Sequence, residues 1–296
     1  MVLVVGSNGF VGRHVVKRLA AGGARVRAMV RNQSDYRAPE GVEVVEADLT
    51  KPETLGPALE GVTKVVHAAA IVGNIKEPYK GAYDDVHRTG TENLVRAATD
   101  AGVKRVVAMS GLGTKPAPKG TYMAPRWAME EAIRHSGIPH VIIQPSVQFG
   151  PGSEFINALA RLARISPVVP LLGGGRLRFQ PIWVEDVVTC VEKALTDESF
   201  SGAYTIGGSE YATFKEVVQV ILKAMGKRRL LAPLPMPIAR IQARLLTALL
   251  PKPPLTPATI ELFDFDNVTE LDAVDRYFGF HPTGFRAYIQ EHGIEA

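Results

Sequence analysis

The clearest indication of a binding function comes from three glycines near the amino terminus, Gly6, Gly9 and Gly12, which are spaced three residues apart. They follow the apolar run 2–5 and introduce a helical pattern over 10–21. Where a strand turns into a helix, free backbone N–H groups and the positive end of the helix dipole face an anion. We therefore predict a diphosphate site: Gly6 turns the chain, Gly9 admits the phosphate and Gly12 lets the helix approach the sheet. A tight strand–helix turn without a ligand is the alternative.

The residue after the predicted second strand indicates which dinucleotide such a site would take. Dinucleotide sites of this kind place a carboxylate there, about 20 residues past the glycines, to bind the ribose 2′-hydroxyl. This chain has Arg31 at that position, and a guanidinium can hold a 2′-phosphate through two charge-assisted hydrogen bonds. We therefore predict NADP(H) as the cofactor. Asp35 keeps NAD(H) open, and a solvated charge is the alternative for Arg31.

Three further groups of residues complete the predicted cofactor site. They are Asn8, Phe10 and Val11 between the glycines, Asp48 and Leu49 after the third strand, and Ala68, Ala69 and Ala70 at the end of the fourth. The Asp48 carboxylate can accept a hydrogen bond from the adenine amino group, or it can cap the short helix that follows. The three alanines would let the backbone pass close to the cofactor ribose, although core packing produces the same run.

The elements that position these residues alternate between strand and helix. The pattern predicts strands over 2–5, 25–30, 42–47, 64–70, 105–109 and 140–143, with helices over 10–21, 52–59, 89–101 and 125–135. Such alternation is typical of a doubly wound parallel sheet of the Rossmann type, in the α/β class. We expect residues 1–145 to form this dinucleotide-binding domain.

The composition of the chain changes after residue 145, where glycine and proline become frequent. We expect residues 146–296 to form a smaller, mostly helical substrate lobe that is interleaved with the end of the sheet. Its predicted elements are a flexible loop at 173–175, helices over 184–195 and 214–225, and a strand near 204–206. The apolar segment 238–250 has three open explanations: a lid over a hydrophobic substrate, a surface that docks on a membrane or a partner protein, or a core helix.

Composition excludes several classes of protein. The chain has 296 residues, 46% of them hydrophobic, and a net charge of +4 without a block of basic and aromatic residues. We therefore expect no nucleic-acid partner. The single cysteine, Cys190, excludes an internal disulfide, and the seven histidines show no metal-ligand spacing, so we expect no metal. Because the first strand begins at Val2, we expect a cytoplasmic protein without a leader peptide.

Seven segments together carry a resemblance to a known family over essentially the whole length of the chain. They are 6–12, 48–49, 67–70, 90–94, Tyr122 with Arg126, 145–150 and 180–187. The chain resembles the extended and atypical short-chain dehydrogenases/reductases. The short interval between Ser110 and Tyr122 and the sequence 234–237 are similar to the group related to the NADPH-binding accessory subunit of respiratory complex I.

The resemblance implies catalytic candidates and also departures from the family pattern. In active members a tyrosine transfers a proton, a lysine four residues later lowers its pKa, and a serine orients the substrate oxygen. Here Arg126 lies four residues after Tyr122, where the family has lysine. Gly111 stands at the serine position, and Ser110 lies one residue earlier. The resemblance thus gives Tyr122, Arg126 and Ser110 as catalytic candidates. An ordinary loop tyrosine and a first-turn arginine are the alternative for the first two.

The resemblance also implies that Pro145 and Ser146 meet the nicotinamide carboxamide, and His87 replaces an asparagine common in the family. A tyrosine with a pKa near 10 needs a nearby cation to act as a base. Arginine supplies the charge, but its planar fork differs from an ammonium group.

Two functions therefore remain open. The first is an NADP(H)-dependent oxidoreductase that acts on a hydrophobic carbonyl, quinone or unsaturated compound through Tyr122. The second is a non-catalytic NADP(H)-binding accessory or assembly subunit, or a redox sensor. Isomerase or epimerase chemistry is a third hypothesis, less favoured because it uses the same tyrosine–lysine pair.

Overall fold

The apolar runs of the chain form short strands, and those at the centre of the main sheet are buried along most of their length. The computed structural model describes residues 1–294. Its strands are, in chain order, β1 Val2–Val5, β2 Val26–Val30, β3 Glu43–Glu46, β4 Lys64–His67, β5 Arg105–Met109, β6 His140–Pro145, β7 Gln148–Phe149, β8 Val168–Leu172, β9 Arg178–Phe179, β10 Ile182–Trp183, β11 Gly202–Ile206, β12 Ala212–Thr213 and β13 Leu230–Leu234. Every residue of β2 and β5 is buried, as expected for a parallel sheet covered on both faces.

The helices follow the amphipathic stretches of the sequence. They are α1 Phe10–Ala21, α2 Leu55–Leu59, α3 Ala82–Asp84, α4 Gly90–Asp100, α5 Met123–Arg134, α6 Glu154–Ile165, α7 Val184–Thr196, α8 Phe214–Ala224, α9 Met236–Leu249, α10 Pro257–Leu262, α11 Ala273–Phe278 and α12 Phe285–His292. A π-helical turn, Asp85–Thr89, joins α3 to α4. Thr213 and Glu216 form a reciprocal capping box that fixes the start of α8.

The chain divides into two units, and neither is continuous in sequence. The first unit consists of Met1–Ile71, Glu77–Gln144 and Val187–Tyr204; the second consists of Val72–Lys76, Pro145–Asp186 and the chain from Thr205 onward. The predicted lobe over 146–296, interleaved with the end of the sheet, stays a prediction, but the structure has one such interleaving, because residues 187–204 return to the first unit. The physical reason for this return is that β11 joins the main sheet next to β6.

The main sheet has the strand order β11-β6-β5-β4-β1-β2-β3. The pairings from β6 through to β3 are all parallel. The order reverses between β1 and β4, and a crevice at such a switch point, beyond the carboxyl ends of the strands, is where α/β proteins bind ligands. The prediction of a doubly wound, Rossmann-type α/β sheet is therefore confirmed. The core of this unit packs large apolar side chains from strands and helices, including Leu3, Leu55, Leu59, Leu94 and Ile133.

The second unit has small two-stranded sheets among its helices. β13 pairs with β8, β10 with β7, and β12 with β9. Fully buried Phe149 and Phe285 meet edge to face, with ring centroids 5.2 Å apart. At the predicted flexible loop, the three glycines 173–175 form a turn in which all of them have positive φ. Only glycine adopts three consecutive positive φ angles without strain, so the glycines at 173–175 determine the conformation of this turn.

Candidate functional site

The glycine-rich turn after β1 is so tightly packed that side chains are excluded from it. Gly6 has φ +83°, and a Cβ there would lie 2.7 Å from the Ala69 Cα atom. A Cβ on Gly12 would lie 2.1 Å from the Gly6 carbonyl oxygen. Gly9 is the N-cap of α1, whose first turn contains no acidic residue, and no side chain caps it. The positive end of the α1 dipole is therefore not neutralised by its own first turn.

A cavity of about 300 Å³ lies beside this turn in the first unit. Nine of the residues predicted to bind the cofactor line it: Gly6, Asn8, Gly9, Arg31, Asp48, Leu49, Ala68, Ala69 and Ala70. They come from the ends of β1 to β4, because the carboxyl ends of parallel strands share one edge of the sheet. The concave shape, the glycine cradle and the positive helix end fit a dinucleotide diphosphate. The contact of Arg31 with a 2′-phosphate stays a prediction.

The remaining predicted cofactor residues do not line this cavity. Phe10, Val11 and Gly12 form the first turn of α1, and Pro145 and Ser146 belong to the second unit. The Ser146 backbone N–H donates to the Ile206 carbonyl, at 2.9 Å. The Ser146 N–H is therefore already bonded within the protein, and the contact of Pro145 and Ser146 with the nicotinamide stays a prediction.

Sequence reasoning missed several cavity residues, among them Thr50, Ile71, Pro78, Tyr79 and Val86. Pro78 and Tyr79 precede α3 in a stretch without periodicity, so no sequence signal marked them. Val86 lies in the π-helical turn, which no sequence pattern predicted.

The Asp48 carboxylate orders the loop after β3. Its Oδ1 atom accepts hydrogen bonds from Thr50 N and Thr50 Oγ1, each 2.9 Å long. The short helical turn that begins at Pro52 has Lys51, not Asp48, as its N-cap. The alternative in which Asp48 caps that turn is therefore wrong, while its predicted contact with adenine stays a prediction.

Tyr122 is a buried tyrosine held at the start of α5. It is 6% exposed, and its hydroxyl donates to the Ile71 carbonyl at 3.1 Å. Its ring packs edge to face on Tyr83, with centroids 5.0 Å apart. The Arg126 guanidinium carbon lies 5.5 Å from the centre of the Tyr122 ring. The tyrosine is thus placed next to a permanent cation.

The two departures at Gly111 and Arg126 depend on each other sterically. A Cβ on Gly111 would lie 1.8 Å from Arg126 Nη2 and 2.9 Å from its Cζ. Arg126 is 9% exposed, so its guanidinium has little open space into which it can move. The guanidinium fills the volume that a serine side chain at 111 would need.

Ser110 belongs to a buried polar network around Glu130, which is fully buried. The Ser110 hydroxyl and the Gln144 amide both donate to Glu130 Oε1, at 2.5 and 2.8 Å. Arg134 donates to the other carboxylate oxygen, at 2.5 Å. The network ties the ends of β5 and β6 to α5, and it directs the Ser110 hydroxyl toward Glu130. Its predicted catalytic role stays a prediction.

Two buried histidines lie beside the tyrosine site. Burial lowers the pKa of His67 to about 4, and the neighbouring His87 adds to the effect. Burial, together with the positive charge of Arg126, lowers the pKa of His87 to about 4. His87 Nε2 lies 3.2 Å from the Ile71 backbone nitrogen and 3.1 Å from its carbonyl oxygen, so Ile71 contacts both His87 and Tyr122. Both imidazoles are neutral at pH 7.

The fold and this site define a dinucleotide-binding α/β protein, and comparisons with known proteins give its family. A family model described as NAD(P)H-binding matches residues 6–149. The sterol demethylase protein B of Methylococcus capsulatus is 30% identical over 256 residues, which are 77% of this chain and 75% of that protein. The chain belongs to the NAD(P)H-binding, atypical short-chain dehydrogenase/reductase family.

Other relatives differ in what their names describe. The NADH dehydrogenase [ubiquinone] 1 alpha subcomplex subunit 9 of Arabidopsis thaliana is 26% identical over 278 residues, 90% of this chain and 68% of the relative. The ceramide reductase of Caulobacter vibrioides is 33% identical over 188 residues, 63% of this chain and 58% of the relative. The structure of MoeE5 with UDP-glucose and NAD has a TM-score of 0.73 at 22% identity, covering 97% of this chain and 95% of that one. This last likeness shows the fold alone.

Residues 1–294 lack two features, a membrane-spanning helix and a metal-binding cluster of side chains. None of the helices in this part of the chain has the length and apolar character that a membrane span requires. Within the same residues, no three His, Cys, Asp or Glu side chains are grouped so that they could hold a metal ion.

Proposed function

We propose that the protein is an NADPH-dependent reductase of a hydrophobic carbonyl, quinone or unsaturated compound. The observation that carries the proposal is the buried pair of Tyr122 and Arg126, with the guanidinium carbon 5.5 Å from the ring centre. A relative is named ceramide reductase, which supports a reductive reaction on a hydrophobic substrate. The preference for NADPH is supported by Arg31, whose exposed side chain lines the cavity beyond β2.

In this proposal the side chains handle the proton and the substrate oxygen. NADPH, when bound, supplies the hydride. Tyr122 gives its phenolic proton to the atom that becomes negative, and Arg126 stabilises the tyrosinate that remains, as a lysine does in related enzymes. To do so, Tyr122 exchanges its hydrogen bond to Ile71 for one to the substrate. Because Arg126 Nη2 covers Gly111, it also takes the place of the serine hydroxyl as donor to the substrate oxygen.

A second candidate function rests on a specific observation. Both candidate catalytic hydroxyls face protein acceptors: Ser110 donates to Glu130, and Tyr122 donates to Ile71. A protein that retains the dinucleotide site without turnover would have this arrangement, and one relative is named as a subunit of NADH dehydrogenase. The second candidate is therefore an NADP(H)-binding accessory subunit.

Turnover measurements separate the two candidates. NADPH oxidation is followed by absorbance with a panel of apolar aldehydes, ketones, quinones and enones. Tyr122→Phe should lower kcat by about 100-fold or more, the usual share of general acid catalysis, while NADPH affinity is unchanged. Tyr277→Phe is the matched control, because Tyr277 also stacks against an arginine, at 4.6 Å from Arg276, but lies in the second unit.

The outcomes are distinct. Turnover that Tyr122→Phe abolishes and Tyr277→Phe leaves intact supports the reductase. NADPH binding without oxidation of any substrate supports the accessory subunit. Turnover that survives Tyr122→Phe unchanged refutes the role of Tyr122.

A further inference from the structure

Helix α9 leaves an apolar face uncovered in the second unit. Its exposed apolar residues are Ile238, Ile241, Leu245 and Leu249, with exposed fractions of 47, 60, 57 and 77%. At about 100° per residue they fall within an arc of about 80°, which is one face of the helix. We call these four residues the α9 stripe. The buried residues of α9, Ala239 and Ala243, belong to the hydrophobic core of this unit, so one face of the helix packs on the core and the α9 stripe lies outside it.

A second segment brings apolar side chains close to the end of this helix. Val72 and Ile75 are 40% and 47% exposed, and they belong to the same unit. Lys76, next to Ile75, donates through Nζ to the Leu250 carbonyl at 3.3 Å. The segment therefore lies beside the carboxyl end of α9, and the exposed apolar surface includes residues far apart in sequence.

The part of the sequence that contains α9 is basic. Between Glu216 and Glu261 the chain has seven basic residues and no acidic ones. The net charge of the whole chain is +4, so the rest of the chain has a net charge of −3. Arg240 pairs with Asp264 at 2.6 Å, whereas Arg244 forms no ion pair within residues 1–294. The exposed α9 stripe therefore has Arg244 on the same helix as a basic group without an ion pair in the described residues, and such a combination is complementary to an anionic apolar surface.

We propose that the α9 stripe docks this protein on the surface of an anionic lipid bilayer. An amphipathic helix with basic flanks lies in the interface plane, its apolar side chains among the acyl chains and its basic groups at the lipid phosphates. With 14 residues, α9 is shorter than the roughly 20 residues needed to span a bilayer, so the contact is peripheral. The inference does not depend on the proposed reductase.

Vesicle co-sedimentation of the full chain tests the docking surface. The purified protein is mixed with vesicles of equal parts phosphatidylcholine and phosphatidylglycerol, and separately with phosphatidylcholine alone. We expect binding to the mixed vesicles that is stronger than to the neutral ones and that falls as salt rises. Ile241→Asp combined with Leu245→Asp should lower the partition coefficient at least about tenfold, because charged groups replace the inserted side chains.

Matched variants separate the stripe from general surface effects. Ile165→Asp is the apolar control, because Ile165 is 83% exposed on α6 of the same unit, and it should leave binding unchanged. Arg244→Gln should lower binding about fivefold, the usual effect of one basic residue near anionic lipid, whereas Lys104→Gln should not. NADPH affinity verifies that each variant is folded.

Two results would overturn the proposal. One is the absence of binding to mixed vesicles at low salt. The other is self-association in light scattering that the stripe variants abolish, without any lipid binding, because the stripe would then be an interface between copies of this chain.

Discussion

Replacement of Gly111 by serine should destabilise the protein, because the space beside its Cα atom is already occupied. The new Cβ would lie 1.8 Å from Arg126 Nη2, against a normal separation of about 3.5 Å between heavy atoms. The guanidinium would have to leave an environment in which Arg126 is 9% exposed. Overfilling a packed site in this way costs about 1–3 kcal/mol. We expect Gly111→Ser to lower the free energy of unfolding by that amount, which is several degrees in Tm.

A double-mutant cycle isolates the contact. Lysine at 126 has no planar fork, so Arg126→Lys should open the space beside Gly111. In that background Gly111→Ser should cost at least about 1 kcal/mol less than in the natural protein, measured by urea unfolding followed by tryptophan fluorescence. Gly56→Ser is the control, because a Cβ on Gly56 meets nothing within 4 Å and should have little effect.

The cycle has a clear refuting result. If the two substitutions are additive within about 0.5 kcal/mol, Gly111 and Arg126 do not interact in the way described. The double variant also restores the serine, tyrosine and lysine of the active family members. Under the proposed reductase it should retain turnover, and under the accessory-subunit alternative it should gain turnover that the natural protein lacks.

Two further predictions concern the cofactor and pH. Arg31→Ala should lower the preference for NADPH over NADH about tenfold, the effect of one charge-assisted contact, in calorimetric titrations with each nucleotide; Arg25→Ala, before the other end of β2, should change neither affinity, and equal affinities in the natural protein would refute the assignment. Since His67 and His87 have pKa values of about 4 in the folded state and near 6.5 when unfolded, stability should be full above pH 6.5 and decline as pH falls toward 4, by on the order of 3 kcal/mol for each ring. His87→Asn should remove about half of this decline in urea unfolding near pH 4.5, and an unchanged decline would contradict the assignment.

The parts of the fold that were predictable from sequence are those with strong local signals. Helix α1 and strand β5 have the predicted bounds, because glycines and apolar periodicity mark their ends. Strand β4 ends at His67, three residues before the predicted end, because Ala68, Ala69 and Ala70 turn past the Gly6 loop. Alanine runs are compatible with either conformation, so sequence alone could not place that boundary.

The second unit was harder to predict because its elements depend on long-range pairing. Strand β8 pairs in parallel with β13, opposing Pro170 to Ala232 and Leu171 to Pro233. Because proline disfavours strands, the local sequence does not predict β8 or β13. These strands form because of their pairing with each other in the tertiary structure. Helix α6 was missed for a similar reason, since the frequent glycine and proline over 145–181 obscured its periodicity.

The site shows the same limit. The nine cavity residues lie at strand ends and could be predicted from the sequence. The contact between Gly111 and Arg126 could not, because it joins residues on different elements. The hydrogen bond from the Tyr122 hydroxyl to Ile71 joins residues 51 positions apart in sequence. Its acceptor is a backbone carbonyl, which every residue type has, so the sequence could not predict this bond. Such contacts follow from packing and not from composition.

The interleaving of the two units constrains how the protein can be made. The chain passes between them after Ile71, Lys76, Gln144, Asp186 and Tyr204. During synthesis the nucleotide-binding unit therefore lacks its edge strand until residues 202–206 have left the ribosome, and the other unit needs the segment 72–76, which is made far earlier. Neither unit can be transplanted by a single cut and ligation, so recombination that exchanges half of the gene would leave two incomplete folds.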